Sequence, residues 1–399
     1  MKDADEVLSR GNQEENMKKK LAVIMALAVF ATSVFAGCGS TEKKEEPKKA
    51  ESKEEKKDEY HIAIVTPTLS VSEDEYRAGE QLVEQYPDIV KHLVLPEKFD
   101  TEIEGCISTI VSAADDPLMK AVVVSSGQSG LIPAFQQIKE KNPDIITVSS
   151  AIYDEPDMMS EYIDMNLDMD AIRRGETIPT KAHEMGAKTF IHYSFPTHLA
   201  KPTISARRDK MKETCEKLGM EFVEIITPDP QTGNGPEAMQ QFLQEDIPRQ
   251  IEKYGVDTNI FGTNCPMYDV ILAKALELKF MVAEQCCPTP TQAYPTVLGL
   301  EIAEEDAADF DLINQMITEK VDAQGMKGKL SGWPISTTMF LPKYGVEMAM
   351  EMINNPDFDP KNGEALGKLA QEKFGLEVDF QQYGDYENYY MFIMESIYY

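Results

Sequence analysis

The sequence predicts an α/β chain built as two doubly wound parallel-sheet lobes with a hinge between them. Three observations lead there. From Tyr60 onward short β-rich runs alternate with helix-length amphipathic stretches, the same alternation restarts at Thr189, and Gly or Pro residues stand where helices should start or stop. With 399 residues, 42% of them hydrophobic, the chain can fill two such cores, and wholesale disorder is excluded.

In chain order, the first segment is an address. Met17-Lys18-Lys19-Lys20 precedes an apolar run from Leu21 to Phe30 and then Ala31-Thr32-Ser33-Val34-Phe35-Ala36-Gly37-Cys38, the three-part layout of a secretory signal. A spanning helix needs about 20 apolar residues, so this run is read as a signal. Ala36-Gly37-Cys38 resembles the lipobox of bacterial lipoproteins, in which the cysteine sulfur is acylated and the chain is cut ahead of it. Phe35 replaces the usual Leu, and an ordinary signal peptide with an incidental cysteine is the other reading. Residues 1–16 are acidic, unlike a signal's basic start, so Met17 is read as the true start and 1–37 as extension plus signal. Residues 38–59 follow as lipidated cysteine and tether: Thr41 to Glu59 holds 7 Lys and 8 Asp or Glu and too little apolar surface to fold. Fully extended it spans about 60 Å at about 3.3 Å per residue.

Next come strands at His61–Val65, His92–Leu95, Ala121–Val124 and Ile145–Val148, separated by helices at Glu73–Tyr86, Ile103–Ala114 and Leu131–Lys141. The segment Asp168–Met185, interrupted by Pro179, opens the second lobe. Strands Thr189–Tyr193, Phe222–Ile226, Asn259–Phe261 and Phe280–Ala283 then alternate with helices Lys201–Leu218, Pro236–Tyr254 and Pro266–Leu278. Gly186, Gly219 and Gly255 follow helical runs as C-terminal stops, and Pro266 suits a first helical position, where its missing N–H costs nothing. Thr296–Ile302 and a long helix at Glu304–Gln324 suggest a return crossing near Gly299. The expected division is therefore 60–166 with about 300–358 in lobe 1, and 167–299 with about 359–399 in lobe 2.

Ile62-Ala63-Ile64-Val65-Thr66-Pro67-Thr68-Leu69-Ser70, Ala121-Val122-Val123-Val124-Ser125-Ser126-Gly127 and Phe261-Gly262-Thr263-Asn264-Cys265-Pro266-Met267 resemble strand-to-loop junctions of the type I periplasmic solute-binding protein superfamily, which supplies receptors for ABC importers. More narrowly, the lipobox, charged tether, Tyr-rich end and length are similar to an uncharacterised bacterial lipoprotein family of that fold. The resemblance implies that Asn264 hydrogen-bonds ligand hydroxyls and that Arg207 or Arg208 clamps the ligand. Cys265 stands where an Asp is usual, Glu73-Asp74-Glu75 replaces an aromatic pair, and Ser125-Ser126-Gly127 lacks a carboxylate that Glu284 could supply.

Physical chemistry points to the same loops. In open parallel sheets ligands bind beyond the carboxyl ends of the strands, near unpaired helix N–H groups. The ligand-binding candidates are Thr66, Thr68, Ser125 and Ser126 on the first lobe and His192, Tyr193, Arg207, Arg208, Asn264 and Glu284 on the second, with Ser70, Gln128, Tyr153, Ser194, His198 and Gln285 close by. Each Ser or Thr serves equally well as a turn former or helix cap.

Other groups are read as structural. His192 and His198 lie six apart without an evident partner ligand, so no metal is assigned. Cys265 is read as a packed thiol rather than a nucleophile using His192 as base, and the adjacent Cys286-Cys287 do not readily bridge each other. The pairing of Cys106, Cys215, Cys265, Cys286 and Cys287 stays open, and the 22 Met residues look like gap fillers. Thirty-nine Lys and Arg against 69 Asp and Glu give a net charge of -30, which repels nucleic acid. The expectation is a membrane-anchored extracytoplasmic receptor without cofactor or catalysis, closing on a small polar solute (sugar, nucleoside or similar) and delivering it to an ABC permease. A solute sensor without transport and a Cys-dependent lipoprotein enzyme are the alternatives.

Overall fold

The computed structural model describes residues 59–99, 101–230 and 235–399. The address segment, Cys38 and nearly all of the tether lie outside these residues. β1 (His61–Thr66), β2 (Val90–Val94), β3 (Met119–Val124), β4 (Ile146–Ser150) and β5 (Met165–Met169) form a parallel sheet in the order β2-β1-β3-β4-β5. The apolar runs of β1 and β3 are nearly continuous because both faces are covered. Ile62, Ile64, Val123 and Val148 pack with the helix Thr337–Asn354, whereas Ala63, Val65, Val122 and Val124 pack with the helices Ile103–Ser112 and Ile132–Lys141. Thr337–Asn354 lies so close to the sheet that a Cβ at Gly345 would sit 2.4 Å from Ser150 Oγ. That approach requires glycine.

In the second lobe β6 (Thr189–Ser194) lies between β7 (Glu221–Ile226) and β8 (Thr258–Gly262), all parallel. Bridges from Asn259 to Met281 and from Val282 to Leu330 continue the sheet, and β9 (Ser331–Gly332) pairs antiparallel with β12 (Ile397–Tyr398). Ile178 and Ala182 of the helix Arg174–Glu184 and Met211 and Cys215 of the helix Pro202–Leu218 cover one face. Leu243, Ile271, Ile313 and Ile317, from three further helices, cover the other. Gly219 closes Pro202–Leu218 with φ 74°, the left-handed stop its sequence position predicts.

Two doubly wound lobes with a hinge are thus what the chain forms. The division between them differs from the expectation. Ile313, Ile317, Val321, Met326 and Leu330 belong to the second lobe's core, so the return crossing falls at about 333–336 instead of near Gly299. Tyr294–Leu298 form a short helix. The tail does not belong to the second lobe: β11 (Tyr389–Met394) pairs parallel with β5, and β10 (Val378–Gln382) adds an antiparallel edge, extending the first sheet to seven strands. Phe380, Tyr390 and Phe392 fill the first core, and only the end returns, with Tyr399 in the second. Asp168 and Met169 likewise end β5 rather than opening lobe 2. The chain crosses the hinge three times, after Met169, after Gly332 and after Met394.

Candidate functional site

The carboxyl ends of β1, β3, β4 and β5 carry the first lobe's candidates. Ser125 is buried and donates to Glu75 Oε1 at 2.6 Å. Burial pushes the Glu75 carboxyl up, against the opposing hydrogen bond from Ser125. Next to this pair, Ser126 Oγ and both amide atoms of Gln128 are buried without a partner. A buried polar group left in this state costs about 1–3 kcal/mol, so these atoms are open to a partner such as water or a bound solute. Thr66 is already committed: its hydroxyl donates to Pro67 O at 3.0 Å and pairs with His92 Nε2 at 2.7 Å. Thr68 is partly exposed and meets Ser70 Oγ at 3.0 Å.

Two first-lobe groups gain weight. Asp168, at the end of β5, accepts the Met169 N–H at 2.7 Å, yet burial, with the neighbouring Asp170 charge, holds its carboxyl at about 7. Sequence reasoning missed it by assigning the segment to the other lobe. Tyr153 is 58% exposed with its ring beside Gly127, and partial loss of water followed by the charges of Asp168, Glu75 and Cys287 pushes its hydroxyl up.

In the second lobe Arg207 is 3% exposed, with its guanidinium over the Phe261 ring at 5.2 Å and no partner for Nε or Nη2. Asn264 Oδ1 and Gln285 Oε1 are also buried and unpartnered. These three side chains reach from the helix after β6, the loop after β8 and the segment after Ala283. Ser194 Oγ and His198 Nδ1 converge on Thr263 Oγ1 at 2.9 and 3.3 Å.

Four other candidates are held inside the fold. Tyr193 donates to Asp246 Oδ2 at 3.0 Å on the sheet face away from Arg207. His192 is sealed between Phe222 and Phe261, at 5.9 Å from each, with neither ring nitrogen hydrogen-bonded, and burial plus the Arg207 charge lowers its pKa to about 3. It is neutral and has no hydrogen-bonded thiol. Arg208 binds Asp209 and Glu224, each at 2.6 Å. Glu284 accepts Arg174 Nε at 2.7 Å and Ser396 Oγ at 3.2 Å, while Arg174 also donates to Gln285 O and Cys286 O and lies over Trp333. Arg174, Trp333 and Ser396 come from the three hinge crossings, so Glu284 is a hinge residue and not a free acid for ligand.

A separate groove of about 890 Å³ lies between Arg174–Glu184 and the C-terminal hairpin. Its cations are already paired, Arg173 with Asp379 and Lys181 with Glu395. Arg173 Nε and Thr177 Oγ1 on its wall are also buried without a hydrogen-bond partner, but the unpartnered atoms of Ser126, Gln128, Arg207 and Asn264 come from strand-end loops and helices of both lobes, and they make the interlobe face the candidate site.

A family described as "Protein of unknown function (DUF3798)" matches residues 60–331. The chain belongs to that family. A crystal structure described as a "Putative transcriptional regulator" from Clostridium difficile 630 is 40% identical, with a TM-score of 0.83, covering 86% of this chain and 99% of that one. An "Uncharacterized protein" of Treponema pallidum (strain Nichols) is 33% identical over 180 residues, 43% of this chain and 81% of its own length. AraP, an arabinose binding protein from Geobacillus stearothermophilus, is similar at a TM-score of 0.45 and 13% identity, covering 77% of this chain and 92% of that one. At that distance no ligand is carried across. The ligand of this DUF3798 chain has to be argued from its own residues.

Proposed function

We propose that the protein is a membrane-anchored extracytoplasmic receptor that closes on a small polar solute and delivers it to an ABC permease. The observation that carries this reading is the set of buried, unpartnered polar atoms at the carboxyl ends of the strands in both lobes: Ser126 and Gln128 on one side, Arg207, Asn264 and Gln285 on the other. A solute held between them would complete those hydrogen bonds in a crevice dried by closure. Binding affinity for the closed form then shifts the population toward it, and a permease that prefers that form takes up the solute. The anchor is Cys38 and the spacer is the charged stretch Thr41 to Glu59. A sensor that presents the closed form to a membrane receptor uses the same site, and an ATPase and permease encoded beside the gene would favour transport. A net charge of -30 weighs against a DNA-binding regulator.

A thermal-shift screen of sugars, nucleosides, amino acids and vitamins finds the ligand, and titration calorimetry tests the site. Loss of one buried hydrogen-bond partner costs about 1–3 kcal/mol, so Asn264→Ala weakens binding about 5- to 150-fold and Arg207→Ala at least as much. Parent-like affinity in both variants removes the cleft assignment.

A further inference from the structure

Three of the five cysteines among the described residues meet on the second lobe's wall of the cleft. Cys265 follows β8, and Cys286 and Cys287 follow Glu284. Cys265 Sγ lies 3.1 Å from Cys287 Sγ, and Cys286 Sγ lies 3.1 Å from the Thr263 carbonyl oxygen, to which it donates. Cys287 is exposed, whereas Cys265 and Cys286 are partly exposed.

We propose that Cys265 and Cys287 form a reversible disulfide by exchange with a small-molecule disulfide that reaches the open cleft, a modification site on the wall that carries Asn264. Their sulfurs need to close by about 1 Å to reach bonding distance. The adjacent pair Cys286-Cys287 does not readily bridge itself, which leaves Cys265 as the partner of the exposed thiol.

Cys287 is the exposed member of the pair, so its thiolate is the one a small disulfide can reach, and its sulfur attacks one sulfur of that disulfide. A Cys287–S–S–R bond forms, the S–S bond of the reagent breaks, and one small thiolate leaves. Cys265 then attacks the Cys287 sulfur and expels the second small thiolate. The protons of the two cysteines end on the two departing thiols, so two protein thiols are oxidised and one small disulfide is reduced. The product ties the loop after β8 to the loop after Glu284, fixing the backbone on either side of Asn264. The geometry alone carries this inference, whatever solute the cleft takes.

The test incubates the reduced full-length chain with cystamine, alkylates remaining thiols, and maps the products by peptide mass spectrometry. Cystamine is a dication suited to a chain of net charge -30. The expected result is a linked peptide pair containing Cys265 and Cys287, reversed by dithiothreitol. Cys106 and Cys215, whose thiols burial pushes up, the latter to about 12, stay reduced until the chain is unfolded. Cys265→Ser should trap a cystamine adduct on Cys287, and Cys286→Ser should still form the Cys265–Cys287 pair. Thermal unfolding of both variants monitors the fold. A native parent chain that yields no Cys265–Cys287 pair, or that is modified as readily at Cys106 and Cys215, overturns the proposal.

Discussion

At the scale of single residues, a few side chains hold free energy in a form that pH and substitution expose. Asp168 is one. Its carboxyl sits at about 7 in the folded chain against an ordinary 3.8, so the native state keeps a proton that the unfolded chain gives up. For a carboxyl raised on folding, stability is intact below the unfolded value and falls as pH rises from about 4 to 7. Each pKa unit is worth about 1.4 kcal/mol, so Asp168→Asn should stabilise the protein by about 1–4 kcal/mol at pH 8 and change little at pH 3. Urea unfolding at the two pH values decides it, and equal effects at both would show that the carboxyl is solvated. The Arg174–Glu284 pair behaves differently because each group is buried and fully engaged. Arg174→Ala strands the Glu284 charge in the hinge and should cost about 3–5 kcal/mol, whereas replacing both by apolar residues of similar volume should recover most of that. Single and double variants compared by denaturant midpoint test it.

At the scale of elements, the strands β1 to β4 and β6 to β8 were legible because each is a compact apolar run bounded by turn residues, and the helices between them because their apolar positions repeat at helical spacing. β5 was not. Met165-Asn166-Leu167-Asp168-Met169 alternates apolar and polar residues, since Asn166 is buried against Ser149, which donates to it at 2.8 Å, and so it lacks the continuous pattern of its neighbours. The hairpin β10-β11 was missed for a topological reason: nothing local in Tyr389–Met394 says that it lies beside a strand more than 200 residues earlier. The site was legible in part. Asn264, Arg207, Ser126 and Gln128 stand where strand-end reasoning put them, but Tyr193 and His192 lie in β6 itself, where alternate side chains face opposite sheet surfaces and neither points off the strand's end. Phe392→Ala checks the hairpin's place. Phe392 contacts Trp333, Phe340 and Phe380 and is fully buried, so its loss should destabilise the protein by about 3–5 kcal/mol. A loss under 1 kcal/mol in urea unfolding would place the hairpin outside the core.

At the scale of the whole molecule, the three hinge crossings join the two lobes, and no helix among the described residues is long and apolar enough to cross a membrane. The proposed attachment lies in the segment ahead of Tyr60. That segment offers a single chemical handle, Cys38, after a short apolar run and the small residues Ala36 and Gly37. A single acyl chain binds a bilayer only marginally, so firm anchoring through this cysteine calls for more than one chain. The tether adds little, because its 7 Lys and 8 acidic residues nearly cancel and give no basic patch for lipid headgroups. If the proposed lipid on Cys38 supplies the binding energy, Cys38→Ala should either move the protein from the membrane fraction to the soluble fraction or leave it unprocessed, with loss of labelling by a fatty-acid probe in both cases. Fractionation and probe labelling of the parent and the variant side by side test this, and a variant that stays membrane-bound and labelled would mean that the anchor lies elsewhere.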